Sequence, residues 1–134
     1  MLGFFSIYSK EYLATLMIVT TLFFALPIFV APLQWAKLMG WAIPQERHLA
    51  VYFGRCLGAF ILVVEIIMLH SVMNGIRDSY AFDVLYLVFL LMAVVHIYGA
   101  IRKIQPLSET LEIGLWLALI VLNTLFYPGT AITF

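Results

Sequence analysis

Four long apolar runs constrain what this 134-residue chain can fold into more than any other feature. A transmembrane helix needs about 20 mostly apolar residues, and stretches at about 12–30, 50–73, 80–101 and 111–127 each qualify. The soluble alternative fails on composition. Hydrophobic residues make up 65% of the chain and charged residues 10%, where soluble domains carry about 25% charge. A chain this short leaves too much surface exposed to hide that apolar content from water. The expectation is an all-α membrane protein, a four-transmembrane-helix antiparallel bundle, with residues 1–134 as its single domain.

The punctuation between the runs agrees. Pro27 and Pro32 bend or end the first helix, because proline lacks the N–H donor and clashes with the preceding turn. Residues 33–48 form an amphipathic connection carrying Trp35 and Trp41. Tryptophan favours the headgroup level, so both are expected as interface anchors. Asn74-Gly75 is a turn dipeptide. Pro106 precedes the fourth helix, with Ser108 as its expected N-cap, and Pro128-Gly129 ends it. The N-terminal ten residues lack a basic region and a small-residue cleavage site, so the first run reads as a retained span rather than a signal peptide. Lys37, Arg47, Arg102 and Lys103 fall in the first and third connections, against Lys10 and Arg77 on the other side. That bias predicts both termini on the non-cytoplasmic side.

Charge balance limits the partners. Seven basic and seven acidic residues give no net charge, and no basic patch suits nucleic acid. One cysteine, Cys56, excludes an internal disulfide and a multi-cysteine metal site. No nucleotide-binding glycine loop, catalytic triad or metal-ligand spacing stands out, so neither a cofactor nor a metal is expected. A haem held by two histidines would need both at one depth, whereas His70 and His96 fall about 20 Å apart at 1.5 Å per residue. A small multidrug exporter would carry a glutamate within its first helix, and a rotary proton carrier would be a two-helix hairpin. Neither pattern fits.

An ionisable group within a span is costly, about 2.5 kcal/mol or more at its centre, and calls for a partner or a purpose. Counting from the turns places Arg55, His96 and Glu112 in one layer near the cytoplasmic end, on three different helices. This is the expected structural polar cluster, an Arg–Glu pair with a histidine beside it. Arg55 has an alternative, to snorkel to the interface and leave Glu112 to His96. His96 itself is open to three roles: a satisfied bundle histidine, a catalytic base or a cofactor ligand. Glu65 falls deeper, with no basic residue at its depth, and is expected to be neutral and hydrogen-bonded to Asn123 or Tyr86. It forms a deep polar pair with Asn123 in this reading. His70 and Asp83 lie near the second turn as a wetted structural pair. Gly54 and Gly58, spaced G-x-x-x-G, form a helix-packing face. Catalytic candidates, if there is chemistry, are Glu65, His96 and Glu112.

The run Tyr52-Phe53-Gly54-Arg55-Cys56-Leu57-Gly58-Ala59, the histidine in Val95-His96-Ile97-Tyr98-Gly99 and the stretch Pro106-Leu107-Ser108-Glu109-Thr110-Leu111-Glu112 resemble small four-helix bacterial membrane proteins of the DoxX-like kind. A looser similarity is to the four-helix membrane scaffold of sterol biosynthesis, with an arginine–glycine pattern in its second helix and a histidine in its third. The resemblance implies a four-helix fold, a bacterial inner-membrane location and an accessory role beside a larger membrane enzyme. It carries no catalytic residue across.

Three functions follow as expectations. The first is an accessory or scaffold subunit that packs against other membrane-protein subunits through the Gly54/Gly58 face. The second is an enzyme or carrier for a lipophilic, lipid- or sterol-like molecule, using Glu65, His96 and Glu112 in a pocket between helices. The third is a homo-oligomeric transporter or channel.

Overall fold

The computed structural model describes residues 2–76 and 79–129. Arg77, used above in the charge count, lies outside them, as do residues 1, 78 and 130–134. Five helices follow in order: α1 (Ser6–Val30), α2 (Pro32–Leu38), α3 (His48–Met73), α4 (Tyr80–Arg102) and α5 (Leu107–Leu125). All but the short α2 are long and apolar enough to cross a membrane. This is the all-α, four-helix class that the apolar runs predict.

The bundle is two antiparallel hairpins, α1 with α3 and α4 with α5, joined side by side through α3 and α4. The first is closed by small residues. A Cβ added to Gly58 would stand 2.5 Å from the Phe29 backbone nitrogen and 2.6 Å from its Cα, and one on Gly54 would collide with the Pro32 ring. The G-x-x-x-G face is therefore occupied by the chain's own first helix and the start of α2. The large apolar side chains point outward, for example Phe60 at 73% exposed and Leu111 at 69%. Lipid is the solvent that accepts such a surface.

Helix α1 is not regular. It runs from a 3₁₀ turn through Ser9–Thr20, widens into a π turn at Thr21–Ala25, and resumes at Leu26–Val30. Pro27 has no N–H to offer the Phe23 carbonyl one turn earlier. The indole N–H of Trp35, on α2, donates to that carbonyl at 2.9 Å. Trp35 thus acts as a surrogate donor for a helix interrupted by proline.

At the end carrying the chain termini the core is apolar and aromatic. Leu13, Met68, Phe82, Leu85, Phe89 and Leu119 are buried together, and Tyr12 stacks on Phe126 with ring centroids 4.8 Å apart. Amides of Gly3 and Phe5 donate to the carbonyls of Thr124 and Leu125, which the end of α5 leaves free. The opposite end, formed by the first and third connections, holds the buried histidine His96 and the carboxylates Glu109 and Glu112.

The connection at 33–48 is helical only as far as Leu38, followed by a turn and irregular chain. Ser108 is not the N-cap of α5. Pro106 occupies that position in an extended conformation, and the Ser108 hydroxyl donates instead to the Met39 carbonyl. The first connection is thereby tied down over the start of α5.

Candidate polar centre

The third connection is short, and its geometry decides which side chains meet. Helix α4 stops where Lys103 turns left-handed at φ 54°. Gln105 then folds back over Gly99, into space that any Cβ on Gly99 would take. Its amide donates to the His96 carbonyl at 3.0 Å and to the Thr110 hydroxyl at 3.2 Å. Pro106 launches α5 at once, so Glu109 falls in the first turn, where the helix dipole favours a carboxylate. Glu112 is one turn on, on the same face.

Both carboxylates converge on one imidazole. His96 Nε2 lies 3.0 Å from Glu109 Oε2 and 3.4 Å from Glu112 Oε2. His96 and Glu109 are buried, and the Glu112 side chain is nearly so. His96 Nδ1 is 2.7 Å from the Met92 carbonyl. A carbonyl can only accept, so Nδ1 carries a proton and Nε2 is the nitrogen turned to the acids. The remaining Glu109 oxygen accepts the indole N–H of Trp41 at 2.8 Å. Trp116 flanks the ring at 5.7 Å between centroids.

The cluster differs from the one the sequence predicts. His96 and Glu112 are together, but Arg55 is absent and Glu109 stands in its place. Arg55 is exposed, and among the described residues it makes no ion pair with either glutamate. One residue on from Gly54, it is turned by about 100° from the face that meets α1 and α2. Its helix and that of Glu112 belong to different hairpins. Glu109 is missed because the fourth span is read from Leu111, which leaves it outside the membrane layer in which polar groups call for partners. The available signal is the E-x-x-E spacing, which aligns both acids once the helix begins at Leu107.

The deep pair is also corrected. Glu65 and Asn123 do not bond to each other. The Asn123 side-chain amide donates to the Phe82 carbonyl at 3.0 Å, which ties α5 to the start of α4. Glu65 Oε1 lies 2.5 Å from the Thr20 hydroxyl, which also reaches the Leu16 carbonyl at 2.8 Å. The hydroxyl proton is shared between the carbonyl and the carboxyl, or Glu65 donates a proton of its own to the hydroxyl. Thr21 stands beside the same carboxyl, yet Oε2 is buried with no partner in hydrogen-bond geometry. The Glu65 side chain also lines a groove of about 360 Å³ between α1 and α3, with Met17, Ile18, Thr21, Leu22, Leu62, Ile66 and Leu69.

The three catalytic candidates therefore fall in two places, Glu65 in the α1–α3 groove and His96 with Glu112 at the end of the α4–α5 hairpin. His70 and Asp83 do not pair either. His70 contacts Asn74, while Asp83 accepts from Ser79 and from the Tyr127 hydroxyl. Of the two expected anchors, Trp35 serves α1 and Trp41 serves Glu109. Comparison with family models, with curated proteins and with solved structures returns no match.

Proposed function

We propose that the protein is a multi-pass membrane protein that binds a lipophilic molecule bearing a hydroxyl or amine, with its polar group on Glu65 and its apolar body in the α1–α3 groove. The observation that carries this reading is Glu65, a carboxyl with one buried and unpartnered oxygen, in the wall of an otherwise apolar groove. The rim residues Ile18, Leu22 and Ile66 are more than half exposed, so the groove opens where lipid chains run. A buried acceptor without a partner costs about 1–3 kcal/mol, and a ligand donor removes that cost. The π turn beside Thr20 and Thr21 supports the same reading, since such turns gather at functional sites.

A long-chain alcohol carrying a photoreactive diazirine tests it, against a hydrocarbon of equal length. The alcohol is expected to label α1 and α3 residues of the groove in preference to the hydrocarbon, and to lose that preference in Glu65→Leu. Equal labelling by both probes, unchanged in the variant, would sink the reading.

The accessory-subunit role is the competing proposal, favoured by the DoxX-like resemblance. The Gly54/Gly58 face no longer argues for it, because α1 and α2 already cover those glycines. A stoichiometric membrane-protein partner after mild detergent extraction would support it over ligand binding. A bacterial inner-membrane location, on the DoxX-like resemblance, and both termini outside the cytoplasm, on the four-to-two bias in basic residues, are part of the proposal.

A further inference from the structure

We propose that His96, Glu109 and Glu112 bind one divalent transition-metal cation of the zinc, manganese or iron(II) kind. One donor atom from each residue lies within 4.8 Å of the other two. With metal–ligand bonds of about 2.0–2.2 Å, neighbouring donor atoms stand about 2.8–3.6 Å apart for octahedral to tetrahedral angles. The Nε2 distances of 3.0 and 3.4 Å already lie in that interval.

The surroundings carry the assignment further than spacing alone. A ligating histidine donates its other ring N–H to a carbonyl or carboxylate, which fixes the tautomer and aims the free nitrogen. His96 does this with Met92 on its own helix, outside the acidic pair. The ligand carboxylate of Glu109 is itself held, by the Trp41 indole. Gln105 holds the backbone of His96 in turn. Each is an outer-shell contact of the kind that orients metal ligands.

Charge points the same way. Two carboxylates share a buried site that no lysine or arginine reaches as an ion pair among the described residues. With His96 neutral the ionised cluster is −2, and with His96 as imidazolium it is −1. A divalent cation brings the neutral-imidazole cluster to zero, and an imidazole with two carboxylates suits zinc, iron or manganese. Three protein ligands leave at least one coordination position for water or another ligand, as in open metal sites.

The purified protein in detergent is stripped with a chelator and titrated with Co²⁺ and Zn²⁺, with metal content measured after dialysis. One equivalent is expected per chain, with visible Co²⁺ absorption and an X-ray absorption spectrum of the Zn²⁺ form showing imidazole and oxygen ligands. His96→Gln and Glu112→Gln are each expected to weaken Co²⁺ binding at least tenfold. Trp41→Phe should weaken it about 10-fold, at the lower edge of outer-shell effects. His70→Ala, at an exposed histidine outside the cluster, should change nothing.

Absence of saturable one-to-one binding by the wild type overturns the proposal. So does sulfur, from Cys56, in the zinc coordination shell, or retention of full affinity in both ligand variants. The wild-type spectrum decides the matter even where a variant does not fold.

Discussion

Glu109 and Glu65 are both glutamates buried within helical spans, and the fold accommodates them by opposite means. Glu109 is surrounded: a histidine from α4, an indole from the first connection and a second carboxylate one turn along α5. Glu65 has a threonine from α1 on one oxygen and no partner on the other, and its side chain lines an apolar groove. The first arrangement is a network in which each member orients the next. The second leaves bonding capacity unused. A low-dielectric interior makes the difference matter, since unpaired polar groups there are costly and paired ones are strengthened. Surplus capacity therefore marks Glu65 as a place for an external partner of hydrogen-bonding character, and surplus negative charge marks the His96 cluster as a place for a cation.

The sharpest way to break this comparison is to remove the hub of the network. His96→Leu leaves two carboxylates facing each other without a donor between them, and it is expected to cost about 3–5 kcal/mol. Equilibrium unfolding in mixed micelles measures it. A loss under about 1 kcal/mol would mean that the acids are already neutral and that the cluster is not a charged network.

Packing between the hairpin helices should come next. Gly58→Ala drives a methyl group into the Phe29 backbone, an overpacking expected to cost about 1–3 kcal/mol. Gly114→Ala is the matched control, as nothing lies within 4 Å of an added Cβ there. It should be neutral or stabilising by up to about 1 kcal/mol. Equal effects at the two positions would show that α1 and α3 do not approach as closely as described.

Trp41→Phe keeps most of the ring and removes one donor from Glu109. About 1–1.5 kcal/mol should be lost, together with protection of the 39–47 segment in hydrogen exchange. Unchanged exchange would mean that the first connection is held by Ser108 alone.

The smallest effect belongs to the other carboxyl. Glu65→Gln retains shape and a group able to bond Thr20, so stability should change by less than about 0.5 kcal/mol. A loss comparable to that of His96→Leu would erase the distinction between the two centres and give Glu65 a structural role.

Fold class was legible because it rests on a bulk property. Four apolar runs of spanning length, separated by Asn74-Gly75 and Pro106, leave a helical bundle as the economical solution in lipid. Gly54 and Gly58 were legible as a close-packing face, but G-x-x-x-G does not say whose backbone approaches, and here it is the chain's own Phe29. The site was half legible. His96 and Glu112 could be brought to one depth by counting residues from the turns, since rise per residue is fixed. Depth says nothing about which helices are neighbours. Arg55 shares the layer but belongs to the other hairpin and faces outward. Glu109 depended on an error of only four residues in a helix start, because its side chain acquires a face only once it is helical. Trp41 was out of reach altogether. Its bond to Glu109 spans 68 residues and arises from a loop conformation that no periodicity encodes. The Thr20–Glu65 contact depends similarly on the local widening of α1.

The tether between the first connection and α5 also orders the steps by which the protein is made. Trp41 and Met39 leave the ribosome long before Glu109 and Ser108, to which they bind. While α3 and α4 enter the bilayer, the first connection has nothing to close upon, and His96 arrives with neither of its acids. The centre can form only when the last helix inserts. Its completion is thus among the last steps of folding, and requires the fourth span to stand beside the third.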